Sequence, residues 1–345
     1  MTAAGLQTVV LGAGGLVAGE LMRLLSLHPD VARIVAVSQS QAGKMAHETH
    51  PSLRRLPPIA FVARPAGEAA ADADVVFAAL PHGDSQRVMR EILAAGPRLV
   101  VDLGADFRLR DPAVFRAHYG EHVCPELAAD FVYGLPEAFR DAVRGARLIA
   151  NPGCFATAVQ LLLLPLASAG LLPELVAVHG VTGSSGSGAL PKPTTHHPFR
   201  DGNFYAYKML AHPHEAEIDQ TLTQVAGQPR RARLLAHSGP FVRGIHATAH
   251  LRDAGFAARD IARLYAGAYA AEPFVDALAR PPQVAEVAAT NFVCVHVKQQ
   301  GDEIEATLAL DNLVKGAAGQ AIQNMNLALG LPETAGLMHP GAFPC

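Results

Sequence analysis

Residues 8–15 read TVVLGAGG, a β-branched run that ends in a glycine turn, and GELMRLLSLHP follows with helix-like spacing of apolar residues. ARIVAVSQS then reads as a second strand. Few features constrain a fold more. A strand feeding Gly12-Ala-Gly14-Gly15 and then a helix leaves backbone N–H groups facing a pyrophosphate, the phosphate-binding turn of a dinucleotide domain. The spacing departs from G-x-G-x-x-G, because Ala18 stands at the last glycine position and Gly19 follows it. Residues this small still let helix and strand pack closely. A plain tight turn is the competing interpretation.

An NAD-preferring site usually carries an Asp or Glu at the end of the second strand for the ribose hydroxyls. Here that strand ends in Val37-Ser38-Gln39-Ser40, with Lys44 close behind. An uncharged, hydroxyl-bearing turn beside a cation accepts a 2′-phosphate, so NADP is expected over NAD. A solvated loop would have a similar composition.

The alternation continues. ADVVFAALPHG is a buried strand running into Pro81-His82-Gly83, QRVMREILAAG is a helix, and RLVVDLGADFRL is the next strand and loop. Parallel strands joined by crossover helices give this pattern, and ligands bind past their carboxyl ends. His82, Asp106 and Arg108 fall on that rim. Arg108 could present its planar fork to a carboxylate or phosphate, or form a salt bridge to Asp106 or Asp111.

At 345 residues the chain is long enough for two domains, and with 50% hydrophobic and 17% charged residues it can bury large cores. A net charge of -3 implies no general attraction to nucleic acid or anionic lipid. The start MTAAGLQTVV lacks the pattern of a secretory signal, and the longest apolar run is expected to break at Pro165 and Gly170 before it could span a bilayer. A cytoplasmic protein is the expectation. Cys124, Cys154, Cys294 and Cys345 show neither disulfide nor zinc spacing.

NPGCFATAVQ, residues 151–160, sits between the short strand RLIA and a helix-compatible run, with Pro152 and Gly153 making the turn. Cys154 then lies at a helix N-terminus, where unpaired amides and the helix dipole favour the thiolate. A thiolate is a strong nucleophile, and the same amides could stabilise an oxyanion at the carbon it attacks. The bland alternative is an inert, buried Cys.

A nucleophilic thiol needs a proton-handling partner. THHPFRDGN supplies His196 and His197, and YKMLAHPHEAEI supplies His212, His214, Glu215 and Glu217. His212 and His214 are candidates for acid and base, with Glu217 orienting one imidazole. A metal site is the weaker alternative, since no set of four ligands emerges, and surface histidines are the bland one. Between these segments, Gly183 to Gly188 reads as a flexible loop with amides available to an anion. SGPFVRGIHATAHL reads as a strand preceded by Arg243, a second candidate for an anionic substrate. Two antiparallel strands are expected around Gly301, followed by a helix from Lys315 to Leu329, so the middle of the chain is β-rich with antiparallel character.

These residues carry a resemblance. NPGCFAT is similar to the cysteine motif of the N-acetyl-gamma-glutamyl-phosphate reductases, LGADFRL resembles their substrate loop, and HPHEAEI resembles their H-x-H-x-x-E-I segment. DNLVKGAAGQAIQNMN, Asp311 to Asn326, resembles their C-terminal signature. The resemblance spans nearly the whole chain, in order.

It implies an α/β fold of the semialdehyde dehydrogenase superfamily, with a Rossmann-type parallel sheet domain and an α+β catalytic and dimerisation domain, glyceraldehyde-3-phosphate dehydrogenase-like. The NADP-binding domain would comprise 1–150 plus 312–345, and the substrate and dimerisation domain 151–311. Cys154 would be the nucleophile and His212 or His214 the acid/base, the motif not deciding which. Gly12, Gly14, Gly15, Leu16 and Val17 would hold the pyrophosphate. Ser38, Gln39 and Ser40 would hold the 2′-phosphate, and Asn312 the nicotinamide side. Arg108 and Arg243 would contact substrate anions.

The implied reaction turns an acyl phosphate and NADPH into an aldehyde and inorganic phosphate through a cysteinyl thioester, in a homodimer or homotetramer. Two departures bear on the substrate. Gly14 and Leu16 stand where many acetylglutamyl enzymes carry serine and tyrosine. GSSGSGALPKPTTHHPFRDGN resembles the related branch that reduces carrier-protein-bound aminoadipyl or glutamyl phosphate, which would imply an amino-group carrier protein as partner. Aspartate semialdehyde dehydrogenase and a cofactor-free thiol hydrolase using Cys154 and His214 are further alternatives, the latter leaving the glycine turn unexplained.

Overall fold

A computed structural model describes residues 5–343, so Cys345 lies outside the described residues. The chain divides into two compact units, one running through Pro152 and resuming at Ala317–Met338, the other comprising Gly153–Gly316 and resuming at His339. The chain returns to the first unit after Gly316, so Asn312 lies in the second.

In the first unit, β1 (Leu6–Leu11), β2 (Val31–Val37), β3 (Phe61–Val62), β4 (Val75–Ala78), β5 (Leu99–Asp102), β6 (Val132–Tyr133) and β7 (Leu148–Ala150) form one sheet. Its order is β3-β2-β1-β4-β5-β7-β6, and every strand pair is parallel. β4 and β5 are buried at every residue, as expected of strands covered on both faces. The order turns at β1, which has β2 on one side and β4 on the other; ligands gather at such a switch point. The helix Gly319–Ala328 packs against β5, and its buried Asn324 donates to the Gly134 carbonyl at 2.8 Å and to Asn151 Oδ1 at 3.1 Å. Expected as one helix from Lys315, this element opens instead with a π-helical turn over Val314–Ala318.

In the second unit, β8 (Leu175–Thr182), β9 (Tyr205–Ala206), β10 (Arg231–Ser238), β11 (Ile245–Arg252), β12 (Val275–Ala277), β13 (Val293–Gln300) and β14 (Glu303–Leu310) form a mixed sheet. The order is β12-β13-β14-β11-β8-β10-β9, with β8–β10 and β12–β13 parallel and the other pairs antiparallel. β8, β10 and β11 alternate buried and outward residues, so one face meets a core while the other is open. The helix Cys154–Ser168 packs against β11, β14 and the helix His214–Ala226. Thirteen of its fifteen residues are buried, which suits a run that is apolar on all sides.

That helix does not break at Pro165; it runs through it to Ser168. A proline removes the N–H that would pair with the carbonyl four residues earlier. Here that carbonyl, of Leu161, accepts from the Tyr269 hydroxyl, and the Leu162 carbonyl accepts from Tyr265 Oη at 2.7 Å. Both tyrosines come from the helix Ile261–Tyr269 and are buried. Supplied with donors from outside, the helix continues where local sequence says it should stop. Among the described residues no helix is long and apolar enough to cross a membrane.

Candidate active site

The glycine turn lies where β1 ends. Gly12 has φ +75°, and a Cβ there would stand 2.3 Å from the Ala79 carbonyl oxygen just past β4, so only glycine fits. Gly15 precedes the helix Leu16–Leu25, whose N-terminus has no side-chain cap. A Cβ on Gly14 would lie 3.4 Å from Ser38 Oγ, which brings the second-strand loop beside the turn. These close approaches and the uncapped helix end fit a dinucleotide pyrophosphate. His50 adds a brace invisible in the motif: its Nε2 bonds the Ala13 carbonyl at 2.9 Å, and it fills the place a side chain on Gly19 would take. Gln39 Nε2 reaches the Arg64 carbonyl at 3.4 Å and Lys44 Nζ donates to Gln41 at 3.1 Å, both exposed; Ser38 is buried.

At the rim beyond β4 and β5, the buried Asp106 carboxylate accepts from Gly83 N–H and Gln86 N–H and meets His82 Nδ1 at 2.6 Å. Arg108 is buried and donates through Nη2 to the Leu103 carbonyl at 2.8 Å. Asp111 caps the helix Pro112–Tyr119, accepting from Ala113 N–H. Burial pushes the Asp102 carboxyl up to about 7, against a hydrogen bond from Ser85; Asp106 adds to the rise and Arg108 opposes it.

In the second unit Cys154 is the first residue of its helix and half-buried, with Gly153 as the uncapped N-cap. The N–H of Gly153 donates to Glu217 Oε2 at 3.0 Å, and Glu217 Oε1 lies 4.0 Å from His214 Nε2. Glu217 therefore does more than face an imidazole: it ties the N-terminus of the Cys154 helix to the start of the helix His214–Ala226. Gln160, six residues along the first helix, repeats the tie by donating to the Glu217 carbonyl and to Thr221.

The two histidines are distinct. His212 is buried, its ring packed edge-on to Phe155 at 5.5 Å and near Tyr207 at 5.9 Å. Burial, helped by the neighbouring His214 and Lys208, holds its pKa down to about 3, so it is neutral at pH 7. Its Nδ1 accepts from the His214 N–H at 3.3 Å, which assigns the ring proton to Nε2. His214 keeps 18% of its side chain exposed and faces the Glu217 carboxylate.

Gly316 and Tyr207 are neighbours of the thiol that the motifs did not single out. A Cβ on Gly316 would stand 2.8 Å from Cys154 Cβ and 3.2 Å from its Cα, so the π-turn lies directly on Cys154. Such turns inside helices gather at functional sites, but neither spacing nor periodicity announces one. Tyr207 lies close enough for a Cys154 thiolate to raise its phenol pKa further, after burial.

Other expectations change. The Gly183–Gly188 segment is pinned, not flexible: the Gly183, Ser184 and Ser185 N–H groups donate to the Gly244, Phe241 and Val242 carbonyls, so these amides are not available to an anion. Asn312 Oδ1 accepts from Gly244 N–H at 2.6 Å, and its Nδ2 donates to Ser185 Oγ at 3.0 Å. Arg243 grips the buried Asp311 with Nε at 2.9 Å and Nη2 at 3.2 Å. Asp311 also accepts from the N–H groups of Ala289, Leu313 and Val314, making it the hub of the turn. Among the described residues no three His, Cys, Asp or Glu side chains form a metal-holding group.

Residues 7–146 match the family model for the semialdehyde dehydrogenase NAD binding domain, and residues 154–312 match that for the semialdehyde dehydrogenase dimerisation domain. An N-acetyl-gamma-glutamyl-phosphate reductase of Alkalilimnicola ehrlichii is 42% identical, over 98% of this chain and 100% of its own. A Thermomicrobium roseum protein named provisionally as a LysW-L-2-aminoadipate 6-phosphate reductase is also 42% identical, over 98% of this chain and 99% of its own. The fold matches the crystal structure of aspartate semialdehyde dehydrogenase II from Vibrio cholerae with a TM-score of 0.73 at 17% identity, over 94% of this chain and 98% of that one. With a dinucleotide turn in one unit and a cysteine at a helix N-terminus in the other, the chain belongs to the semialdehyde dehydrogenase family, among the N-acetyl-gamma-glutamyl-phosphate reductases, which are nicotinamide-dependent oxidoreductases.

Proposed function

We propose that the protein catalyses the NADPH-dependent reductive dephosphorylation of N-acetyl-gamma-glutamyl phosphate to N-acetylglutamate semialdehyde, in arginine biosynthesis, as a cytoplasmic homo-oligomer. The observation that carries it is Glu217 joining the helix N-terminus beside Cys154 to His214. Cys154 Sγ attacks the acyl carbon, the carbon–oxygen bond to phosphate breaks, and inorganic phosphate leaves a thioester on the enzyme. When bound, the reduced nicotinamide supplies a hydride. His214 gives its proton from Nε2 to the oxygen of the hemithioacetal on Cys154 and takes it back as the carbon–sulfur bond breaks, which releases the aldehyde and returns the Cys154 thiolate, with Glu217 stabilising the imidazolium. His212 stays neutral and packs the histidine turn.

Gly12, Gly14, Gly15, Leu16 and Val17 hold the pyrophosphate, and Ser38, Gln39 and Ser40 the 2′-phosphate. Asn312 has two amide protons, of which Ser185 takes one; the other serves the nicotinamide side. Arg108 and Arg243 supply positive charge for substrate anions, Arg243 while shared with Asp311.

The test runs the reaction backward, following NADPH formation from N-acetylglutamate semialdehyde plus phosphate beside aspartate semialdehyde and a carrier-linked aminoadipate semialdehyde. Preference for the first supports the proposal; preference for the last moves it to the carrier-dependent branch, which the Thermomicrobium relative and the double histidine favour. Gly316→Ala is expected to lower kcat about 100-fold by displacing Cys154, with the dissociation constant for NADPH unchanged by fluorescence titration.

A further inference from the structure

Where β5 ends, the fold buries two carboxyl groups, Asp102 and Asp106, and serves them differently. Asp106 accepts from the Gly83 and Gln86 N–H groups and meets His82 Nδ1. Asp102 is as fully buried, yet its carboxyl accepts only from the Gly104 N–H, on Oδ1 at 3.2 Å. Its Oδ2 has no partner within hydrogen-bonding geometry, the Ser85 hydroxyl lying alongside. The loop is closed tightly over this group, since a Cβ on Gly104 would stand 3.2 Å from both Asp102 Oδ1 and Ser85 Oγ. A buried carboxylate with so few donors is costly, and such a group keeps its proton to unusually high pH.

Arg108 ends the same loop. Its Nη2 donates to the carbonyl of Leu103, the residue next to Asp102, so the guanidinium and the carboxyl are neighbours. The elements packed around Asp102 bring neutral groups. Beside it in the sheet stand Ala78 of β4 and Ala150 of β7. The helix Gly319–Ala328, packed on β5, has no ionisable residue. The helix Ser85–Ala95 presents Ser85 and leaves Arg87, Arg90 and Glu91 exposed. Cys124, a thiol within electrostatic reach, donates to the Gln86 carbonyl at 3.2 Å and is held protonated by burial. The charges that act on Asp102 are therefore Asp106, which repels its negative form, and Arg108, which attracts it.

We infer that Asp102 is the positioning residue for Arg108: as a neutral acid it leaves the guanidinium to the substrate's anion, and as a carboxylate it draws that guanidinium back to itself. The inference rests on the substrate contact given above to Arg108. Burial holds the Asp102 carboxyl up to about 7, so the acid prevails below that pH and the carboxylate above it. Roughly nine-tenths of the chains keep the proton at about pH 6 and roughly a tenth at about pH 8. An apparent dissociation constant is the intrinsic one divided by the competent fraction, so KM should rise about 10-fold over that range. Saturating substrate recaptures Arg108, which leaves the pH profile of kcat to His214.

The test follows KM for the preferred semialdehyde, N-acetylglutamate semialdehyde in the reading above, from about pH 6 to about pH 8 at saturating phosphate and NADP. Its carboxylate keeps its charge over this range. Infrared difference spectra of the protein without substrate follow the protonated carboxyl group over the same range. The carboxyl band should vanish with the midpoint at which KM rises. Asp102→Asn, which keeps the neutral shape, should lose both the band and the rise. Ser85→Ala, which removes a donor to the carboxylate, should move both midpoints to higher pH, and it decides the matter if Asp102→Asn does not fold. A KM that does not rise, a band that ignores pH, or an Asp102→Asn variant with the wild-type rise overturns the inference. Arg108→Gln should raise KM at least about 10-fold at pH 6 and leave it nearly independent of pH. If it does so while Asp102→Asn keeps the wild-type profile, the inference alone is wrong. A wild-type KM in Arg108→Gln removes the substrate contact assigned to Arg108, and the inference with it.

Discussion

Cys154→Ala is expected to abolish turnover, lowering kcat by at least about 10⁴-fold, while NADPH binding and the unfolding temperature stay near those of the wild type. In the proposed mechanism the thiol forms the covalent bond to the acyl group, and no other described cysteine is fit to replace it. Burial pushes the thiols of Cys124 and Cys294 up to about 11, which leaves them protonated and unreactive at pH 7. The half-buried position of Cys154 gives the substitution room, so the loss should be chemical and not structural. Stopped-flow detection of phosphate release separates the steps: without the thiol the initial burst of phosphate disappears. Activity that survives the substitution would sink the thioester mechanism.

His214→Asn should reduce kcat by about 10²- to 10⁴-fold and flatten the pH profile of kcat between about pH 5 and 9. His212→Gln is the informative contrast. Because His212 is held down to about 3, it is uncharged over that whole range, and replacing it cannot remove a titration from the profile. Its substitution should alter rate through packing against Phe155 while the pH dependence keeps its shape. A profile flattened by His212→Gln and untouched by His214→Asn would reverse the assignment.

Periodicity and turn chemistry are local, and what they govern was legible. The alternation from Thr8 to Asp102 implied the parallel sheet, and the hairpin about Gly301 appears as β13 and β14. The NPGC and H-x-H-x-x-E spacings pointed to the residues that the fold gathers about one helix end. What remained hidden depends on groups far apart in the chain. The glycines at 183–188 look flexible until the carbonyls of Phe241, Val242 and Gly244 hold their amides. Arg243 looks like a side chain held by a ligand alone until Asp311, 68 residues on, shares its fork. Gly316 looks like one more small residue in a helix until its missing Cβ proves to be the space that Cys154 occupies.

The helix that carries Cys154 also has a timetable. Its proline leaves one carbonyl without a local donor, and the tyrosine that supplies the donor is encoded 108 residues later. On the ribosome, where domains fold as their sequence emerges, the helix Cys154–Ser168 leaves the tunnel long before its hydroxyl donors and before the glycine at 316. The Cys154 thiol is therefore made early and its helix finished late, and a chain released short of Tyr269 holds the cysteine but not the donor that serves the carbonyl orphaned by Pro165.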